Sequence, residues 1–366
     1  MDVHGVRDIL ATVLQAKGKQ LFYDIHAHPF EVMFDPRHYT PCPGRTGLHS
    51  TGNTDYAPPQ LTSLNLQDAE TGMAPELNER LRAMACQLKL RRIYSHTGPA
   101  VFADQMELCG IDKVLLLPVL GPDKTADNQL QSMSEIFGGD DRFLFGYCLP
   151  NGIANGDCAA EVQRVLARFS VKALKVHPGV TGINPGSMEG AERMEWILDA
   201  SQQTNLPVII HGGLSPDCQN RQAITYGRLQ NLLQVDWSLT TQSVVIAHGG
   251  CYGHTTSEAQ EKIIPFLIEM LDRHDNLYID LSGLVFEVLC LLLMQIAPQR
   301  ILFGSDALYE SQWATLAKLW CGLRQSRRNP EEDLFRIAGM NPAKLLAQGP
   351  SVTGAIENQV ESVPEA

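Results

Sequence analysis

Eight short, nearly continuous apolar runs recur along the chain, at residues 20–26, 113–118, 143–149, 171–177, 207–211, 243–248, 276–281 and 300–304. Most are rich in Val, Ile and Leu, the pattern of strands covered on both faces. Helical periodicity fills the intervals, at 99–109, 126–137, 158–169, 189–203, 221–235, 257–273, 284–296 and 310–326. Strand alternating with helix predicts a parallel sheet with crossover helices, and eight such units predict an α/β fold closed as a (β/α)8 TIM barrel. An open doubly wound sheet is the alternative. That architecture gathers its ligands at one switch point, whereas here metal-binding residue types end the first, fourth, fifth, sixth and eighth runs.

The rhythm breaks once, between the first and second runs. The stretch HYTPCPGRTGLHSTGNTDYAPPQLTS is rich in Pro, Gly, Thr and Ser and is followed by the helix-like APELNERLRAMACQLKLRRI. An excursion directly after a barrel strand leaves from the catalytic face, which favours a lid or substrate wall over a passive or partner-binding loop. The expected organisation is a single domain over 1–366, with the barrel over about 20–348, the long insertion after the first strand over about 30–97, and a polar tail over 350–366. Residues 329–348 read as a closing helical segment, with Asn341-Pro342 starting the last helix.

Composition narrows the class. Hydrophobic residues make up 44% and charged residues 19%, ordinary for a globular protein. The net charge of −12 argues against a nucleic-acid partner; the basic clusters Lys89/Arg91/Arg92 and Arg324/Arg327/Arg328 read as solvated helix ends. Nine scattered cysteines without a C-x-x-C pair fit reduced thiols in a cytoplasm. MDVHGVRDILATVLQAKGKQ lacks the layout of a signal peptide. The most apolar stretch, LVFEVLCLLLMQIA at 284–297, is too short to span a membrane, carries Glu287, and reads as the buried face of a barrel helix. The expected partner is a small-molecule substrate, not nucleic acid or membrane; whether the protein forms a homo-oligomer stays open.

The chemistry lies where the strands stop. LFYDIHAHP carries His26 and His28, VKALKVHPG carries Lys175 and His177, LPVIIHGG ends on His211, VVIAHGG on His248 and ILFGSD on Asp306. Side chains two apart in a strand share a face, so His26 and His28 can meet one ion. Imidazoles with a carboxylate suit a divalent metal. Each residue alone has a plainer reading: a histidine satisfied by backbone, or, for Asp306, the N-cap of the following helix. In the right order at barrel-strand ends they converge on one metal site. Asp24 alternates onto the face of His26 and reads either as an outer carboxylate that orients a ligand histidine or as an inward group. His254 reads as an exposed loop histidine rather than a substrate contact, His96 likewise, and Cys251 as a bystander thiol.

The strings D-I-H-A-H-P, K-V-H-P, H-G-G, A-H-G-G and F-G-S-D, in this order, resemble the metal-dependent amidohydrolase superfamily, and most closely its amidohydrolase 2 branch of hydrolases and decarboxylases. The resemblance covers about residues 20–348. It implies a barrel with one or two divalent metals at its C-terminal mouth. His26, His28, His211 and Asp306 match the metal ligands. His248 matches a histidine that is catalytic in one-metal members and a ligand in two-metal members. Lys175 matches the place of a bridging carboxylate, often a carbamylated lysine, and reads equally as a cationic anchor for a substrate carboxylate. His177 reads as a contact to substrate or to a ligand. One Zn2+ is the favoured cofactor, with two ions the alternative. His248 then serves as general acid/base and Asp306 as ligand and proton acceptor from water.

The leading expectation is thus a metal-dependent hydrolase that uses metal-activated water to cleave an amide, lactone or related ester in a small molecule. A non-oxidative decarboxylase uses the same site. A barrel that has lost activity and acts as a binding protein is the reading from another class. Substrate and metal identity are not encoded in the motifs.

Overall fold

Tyr23–Ala27 (β1), Lys113–Leu116 (β2), Phe143–Tyr147 (β3), Val171–Val176 (β4), Val208–Ile210 (β5), Val244–Ile246 (β6), Leu277–Asp280 (β7) and Ile301–Leu302 (β8) form one sheet in chain order. Every neighbouring pair is parallel. The structure, a computed structural model, describes residues 1–29, 99–119, 126–150, 156–215, 221–307 and 309–348, with positions 61, 64, 66 and 153. The seam between last and first strands is closed by backbone bonds. Ile25 N donates to Phe303 O (3.1 Å), Asp306 N donates to His26 O (2.7 Å), and Ala27 bridges Ala307. This is the (β/α)8 barrel that the apolar rhythm predicts. Apart from positions 61, 64 and 66, the insertion at 30–97 lies outside the described residues, as do the tail at 350–366, His96 and the Lys89/Arg91/Arg92 cluster.

Among the described residues the α-helices of six or more residues are α1 (Val3–Lys17), α2 (Pro99–Cys109), α3 (Ala126–Phe137), α4 (Cys158–Leu166), α5 (Met188–Thr204), α6 (Ile264–Arg273), α7 (Phe286–Gln295), α8 (Gln312–Ser326), α9 (Pro330–Phe335) and α10 (Asn341–Leu346). The most apolar stretch is the ten-residue α7, and among the described residues no helix is long and apolar enough to cross a membrane. The segment at 221–235 departs from expectation. It is not one helix but two 3-10 turns, Gln222–Thr225 and Leu229–Gln234, divided at Gly227 and Arg228. Gly227 is pressed against the end of β5, where a Cβ would stand 2.7 Å from Gly213 O and 3.2 Å from the His211 ring, so the chain hugs the strand instead of coiling away from it.

Helix α1 was not apparent from the strand rhythm. Its buried positions Val6, Leu10 and Val13 repeat at helical spacing and pack toward α2 and α8. Asp2 caps it by accepting from Gly5 N at 2.9 Å. Asp2→Ala is expected to cost ~1 kcal/mol of stability, read as a lower urea midpoint with unchanged slope.

Two apolar layers set the direction of each strand residue. Ile25, Leu115, Ala173, Ile209, Val245 and Leu302, from six different strands, pack together in the lumen with Leu345 and Leu346 of α10. That helix plugs the floor, against Tyr23, Leu144 and Tyr278 near the strand starts. Val114, Val208, Val244 and Ile279 face outward into the larger cluster beneath the helices. Simple alternation from Ile25 would turn His26 outward. The β1–β2 register shifts between Asp24 and Ala27, and this bulge returns His26 to the lumen side.

Candidate metal centre

The ends of β1, β4, β5, β6 and β8 bring every sequence-predicted site residue to one buried place. His26, His28, Lys175, His211, His248 and Asp306 are all buried. Asp306 Oδ1 lies 3.1 Å from His28 Nε2 and 3.8 Å from His26 Nε2. The ligand atoms of His26, His28 and Asp306 all fall within 4.8 Å of one another. His211 stands outside that group and joins it through His248, with 3.2 Å between His211 Nδ1 and His248 Nε2. The half-buried His177 stacks on His211 at 4.0 Å between ring centroids. Lys175 Nζ sits 3.0 Å from His26 Nε2.

The far nitrogen of each of four imidazoles is committed to a fixed acceptor. His28 Nδ1 donates to Leu117 O (2.9 Å), His211 Nε2 to Leu214 O (3.0 Å), and His248 Nδ1 to Ser282 O (2.9 Å). His26 Nδ1 donates to Asp280 Oδ2 (2.9 Å). A carbonyl or carboxylate can only accept, so the second nitrogen of each ring is left to face inward, that of His26 toward Lys175 Nζ. One of the resulting contacts pairs acceptor with acceptor, His211 Nδ1 with His248 Nε2 at 3.2 Å, and His28 Nε2 stands 3.1 Å from Asp306 Oδ1. Asp306 Oδ1 is moreover buried without any hydrogen-bond partner. Such an atom costs free energy unless a positive charge or a donor reaches it. The donor set therefore fits a divalent cation, with outer groups holding the rings as at known metal sites.

Electrostatics prepare the same state. Burial, then the Lys175 charge, pushes the His26 imidazole down to about 3, against Asp280 and Asp306. Burial, reinforced by neighbouring positive groups, holds His177 and His211 well below the usual imidazole range. Burial likewise lowers His248, against the pull of Asp306 and Asp280. Burial alone would raise the Asp306 carboxyl, but His28, His248 and His26 hold it well below the usual carboxylate range. Asp280 is depressed in the same way by His26 and His248. Burial lowers the Lys175 ammonium to about 8. Neutral imidazoles beside ionised carboxylates are the protonation state that binds metal.

Two residues of the site hold unusual backbone. His248 (φ +57°) and Asp306 (φ +58°) are, with Asn205, the non-glycine residues in the left-handed region among those described. Strain of this kind collects where side-chain direction matters. At His248 it redirects a residue that strand alternation from Val245 and Ala247 would aim outward. Gly283 makes room for both: a Cβ there would stand 2.9 Å from Asp306 Oδ2 and 3.3 Å from His248 Nδ1.

Other expectations resolve differently. Asp24 does not orient a ligand ring. Its carboxylate accepts from Ser305 N (2.9 Å), Ser305 Oγ (2.5 Å) and Gln312 Nε2 (2.8 Å), tying β1 to the loop after β8. Burial raises it to about 6. The ring-orienting carboxylate is Asp280, which the motif reading passed over although it ends the seventh apolar run. Asp306 is not a helix N-cap, since α8 begins at Gln312 after Ser311. His254 is less exposed than expected, with its side chain 6% accessible and Nδ1 3.5 Å from Glu258, and is not drawn into the cluster. Cys251 is buried, and burial pushes its thiol up to about 12, which suits a bystander.

Fold and site together define a (β/α)8 barrel with a divalent-cation donor set at the mouth of its strands. The Amidohydro_2 family model, described as Amidohydrolase, matches residues 120–348, well over half the length, and the chain belongs to that family. It is an enzyme of the amidohydrolase superfamily, whose members generally use divalent metals. The match begins after β2, so His26 and His28 are tied to the centre by geometry. Among solved structures, 2,6-dihydroxybenzoate decarboxylase from Rhizobium is similar with a TM-score of 0.54 and 14% identity, over 90% of this chain and 99% of that one. 5-Carboxyvanillate decarboxylase from Sphingomonas paucimobilis gives 0.53 and 12%, over 90% and 100%. A probable 2-pyrone-4,6-dicarboxylic acid hydrolase from Acinetobacter baumannii, with citric acid bound, gives 0.52 and 13%, over 89% and 99%. Likeness at these identities speaks for the fold. A comparison with curated proteins finds no match.

Proposed function

We propose that the protein is a metal-dependent hydrolase that cleaves an amide, lactone or related ester in a small molecule. The observation that carries this reading is the gathering of His26, His28 and Asp306, whose ligand atoms lie within 4.8 Å of one another around a buried Asp306 Oδ1 with no hydrogen-bond partner. His26, His28 and Asp306 would hold the cation, with His211 beside them; Zn2+ suits this imidazole–carboxylate set. The bound cation supplies Lewis acidity that makes water a nucleophile at neutral pH. His248 holds and returns a proton at Nε2, and Asp306 accepts one at its carboxylate. The buried walls keep bulk water from the reacting groups.

Lys175 favours a second reading. It is 1% exposed, and a cation so placed suits a substrate carboxylate, as a non-oxidative decarboxylase needs. The two structural neighbours named as decarboxylases are compatible with it. Release of carbon dioxide separates this reaction from uptake of water, in a screen of small carboxylates, lactones and amides. Metal analysis of protein purified without chelator is the deciding measurement for the site. The expected content is one ion per chain. Two ions would make His211 and His248 a second pole. A content near zero, with no activation by Zn, Mn or Co, would overturn the enzyme reading in favour of a binding protein.

A further inference from the structure

Asp280 stands at the end of β7, fully buried, and every contact to its carboxylate is a donor. Oδ2 accepts from His26 Nδ1 at 2.9 Å. Oδ1 accepts from His248 N (2.9 Å), Ser282 N (3.0 Å) and Ser282 Oγ (2.5 Å). Ser282 Oγ in turn lies 3.1 Å from His26 Nδ1 and 2.9 Å from His248 Nδ1. One carboxylate thus reaches the ring of one site residue and the strained backbone of another. His26 and His248 are 222 positions apart in sequence and have ring centroids 5.0 Å apart.

We propose that Asp280 is the positioning residue of the centre, fixing the His26 proton on Nδ1 and the left-handed turn at His248 through opposite oxygens of one carboxylate. Its effect on cation binding rests on the metal-dependent reading, whereas its effect on the His26 ring does not. Because all its partners donate, Asp280 has no isosteric replacement. An asparagine offers one accepting and one donating head. If the oxygen stays with the three donors of His248 and Ser282, the NH2 faces His26 Nδ1. That nitrogen must then accept, and the ring proton moves to Nε2, toward Lys175 Nζ 3.0 Å away, which must turn aside or give up a proton to accommodate it. The inward lone pair of His26 is lost with no ligand residue changed.

The test reads the ring directly. Protein carrying 15N-histidine and freed of metal by chelator is examined by two-bond 1H–15N spectra, with His26→Gln assigning the resonances. Wild-type protein is expected to carry the His26 proton on Nδ1. Asp280→Asn is expected to move it to Nε2 and to weaken zinc binding ~10–100-fold, the usual effect of losing an outer partner. Ser282→Ala, which leaves Oδ2 untouched, is expected to keep the wild-type tautomer. A wild-type proton on Nε2 overturns the proposal, as does an Asp280→Asn protein with the wild-type tautomer and zinc affinity. Should Asp280→Asn fail to fold, Lys175→Met decides, since it removes the other group that faces the His26 ring at Nε2: the proton stays on Nδ1 if Asp280 fixes it and leaves Nδ1 if Lys175 does. If the tautomer switches but wild-type protein binds no zinc, the metal-dependent reading falls and the positioning role stands.

Discussion

Asp306→Ala protein is expected to purify folded and free of divalent cation. The structural work of Asp306 is done by its backbone, whose N–H reaches His26 O at 2.7 Å and whose carbonyl accepts from Tyr309 N at 3.0 Å. Its side chain contributes Oδ1, buried and without a hydrogen-bond partner. Truncation therefore removes a donor to the cation while sparing the β1–β8 seam. The loss of affinity should exceed the ~10–100-fold that removing an outer partner costs. Alanine is strained at φ +58°, by about 1–2 kcal/mol. Asp306→Asn, which tolerates that backbone, separates strain from chemistry. Metal content by elemental analysis, alongside thermal melting by circular dichroism, reads both effects. Wild-type metal content in both variants would remove Asp306 from the ligand set.

The second large effect is expected at His248. Its inward Nε2 meets His211 Nδ1 at 3.2 Å, and its far nitrogen is fixed by Ser282 O. This leaves one nitrogen to exchange a proton with substrate. His248→Asn preserves the left-handed turn and removes the imidazole. With a substrate from the screen, turnover is expected to fall by ~10²–10⁴-fold, the usual contribution of general acid/base catalysis. Metal bound by His26, His28 and Asp306 should remain. Turnover within tenfold of wild type would exclude the acid/base role. A fall from two ions per chain to one would instead make His248 a ligand.

The barrel was legible because each buried strand writes a short apolar run, and all eight runs overlap observed strands. The convergence of His26, His28, His211, His248 and Asp306 was legible because barrel strands deliver their last residues to one face. Side-chain direction was less so. Alternation joined Asp24 to His26, but the bulge in β1 separates them, and a one-residue register shift leaves no mark in composition. His248 reaches the site through a left-handed backbone, for which the following Gly249-Gly250 was the available sign. Asp280 did carry a signal, since LYID ends a strand on a carboxylate as ILFGSD nearly does. Its importance emerges only when hydrogen-bond partners from β1 and β6 are visible. The 3-10 turns at 222–234 were hidden because their apolar spacing matches a helix and only Gly227 interrupts it.

The meeting of first and last strands has a consequence for biosynthesis. Asp24 is held by Ser305 and Gln312, 281 and 288 positions downstream, and His26 by Asp280, 254 positions downstream. Such distant pairings form late, after the entropy of closing a very long loop has been overcome. A nascent polypeptide whose emerged part ends before Ile301 has its first two histidines but neither Asp306 nor the stave that shuts the barrel around them. Capture of a metal ion by the proposed centre would therefore report that translation has passed the eighth strand.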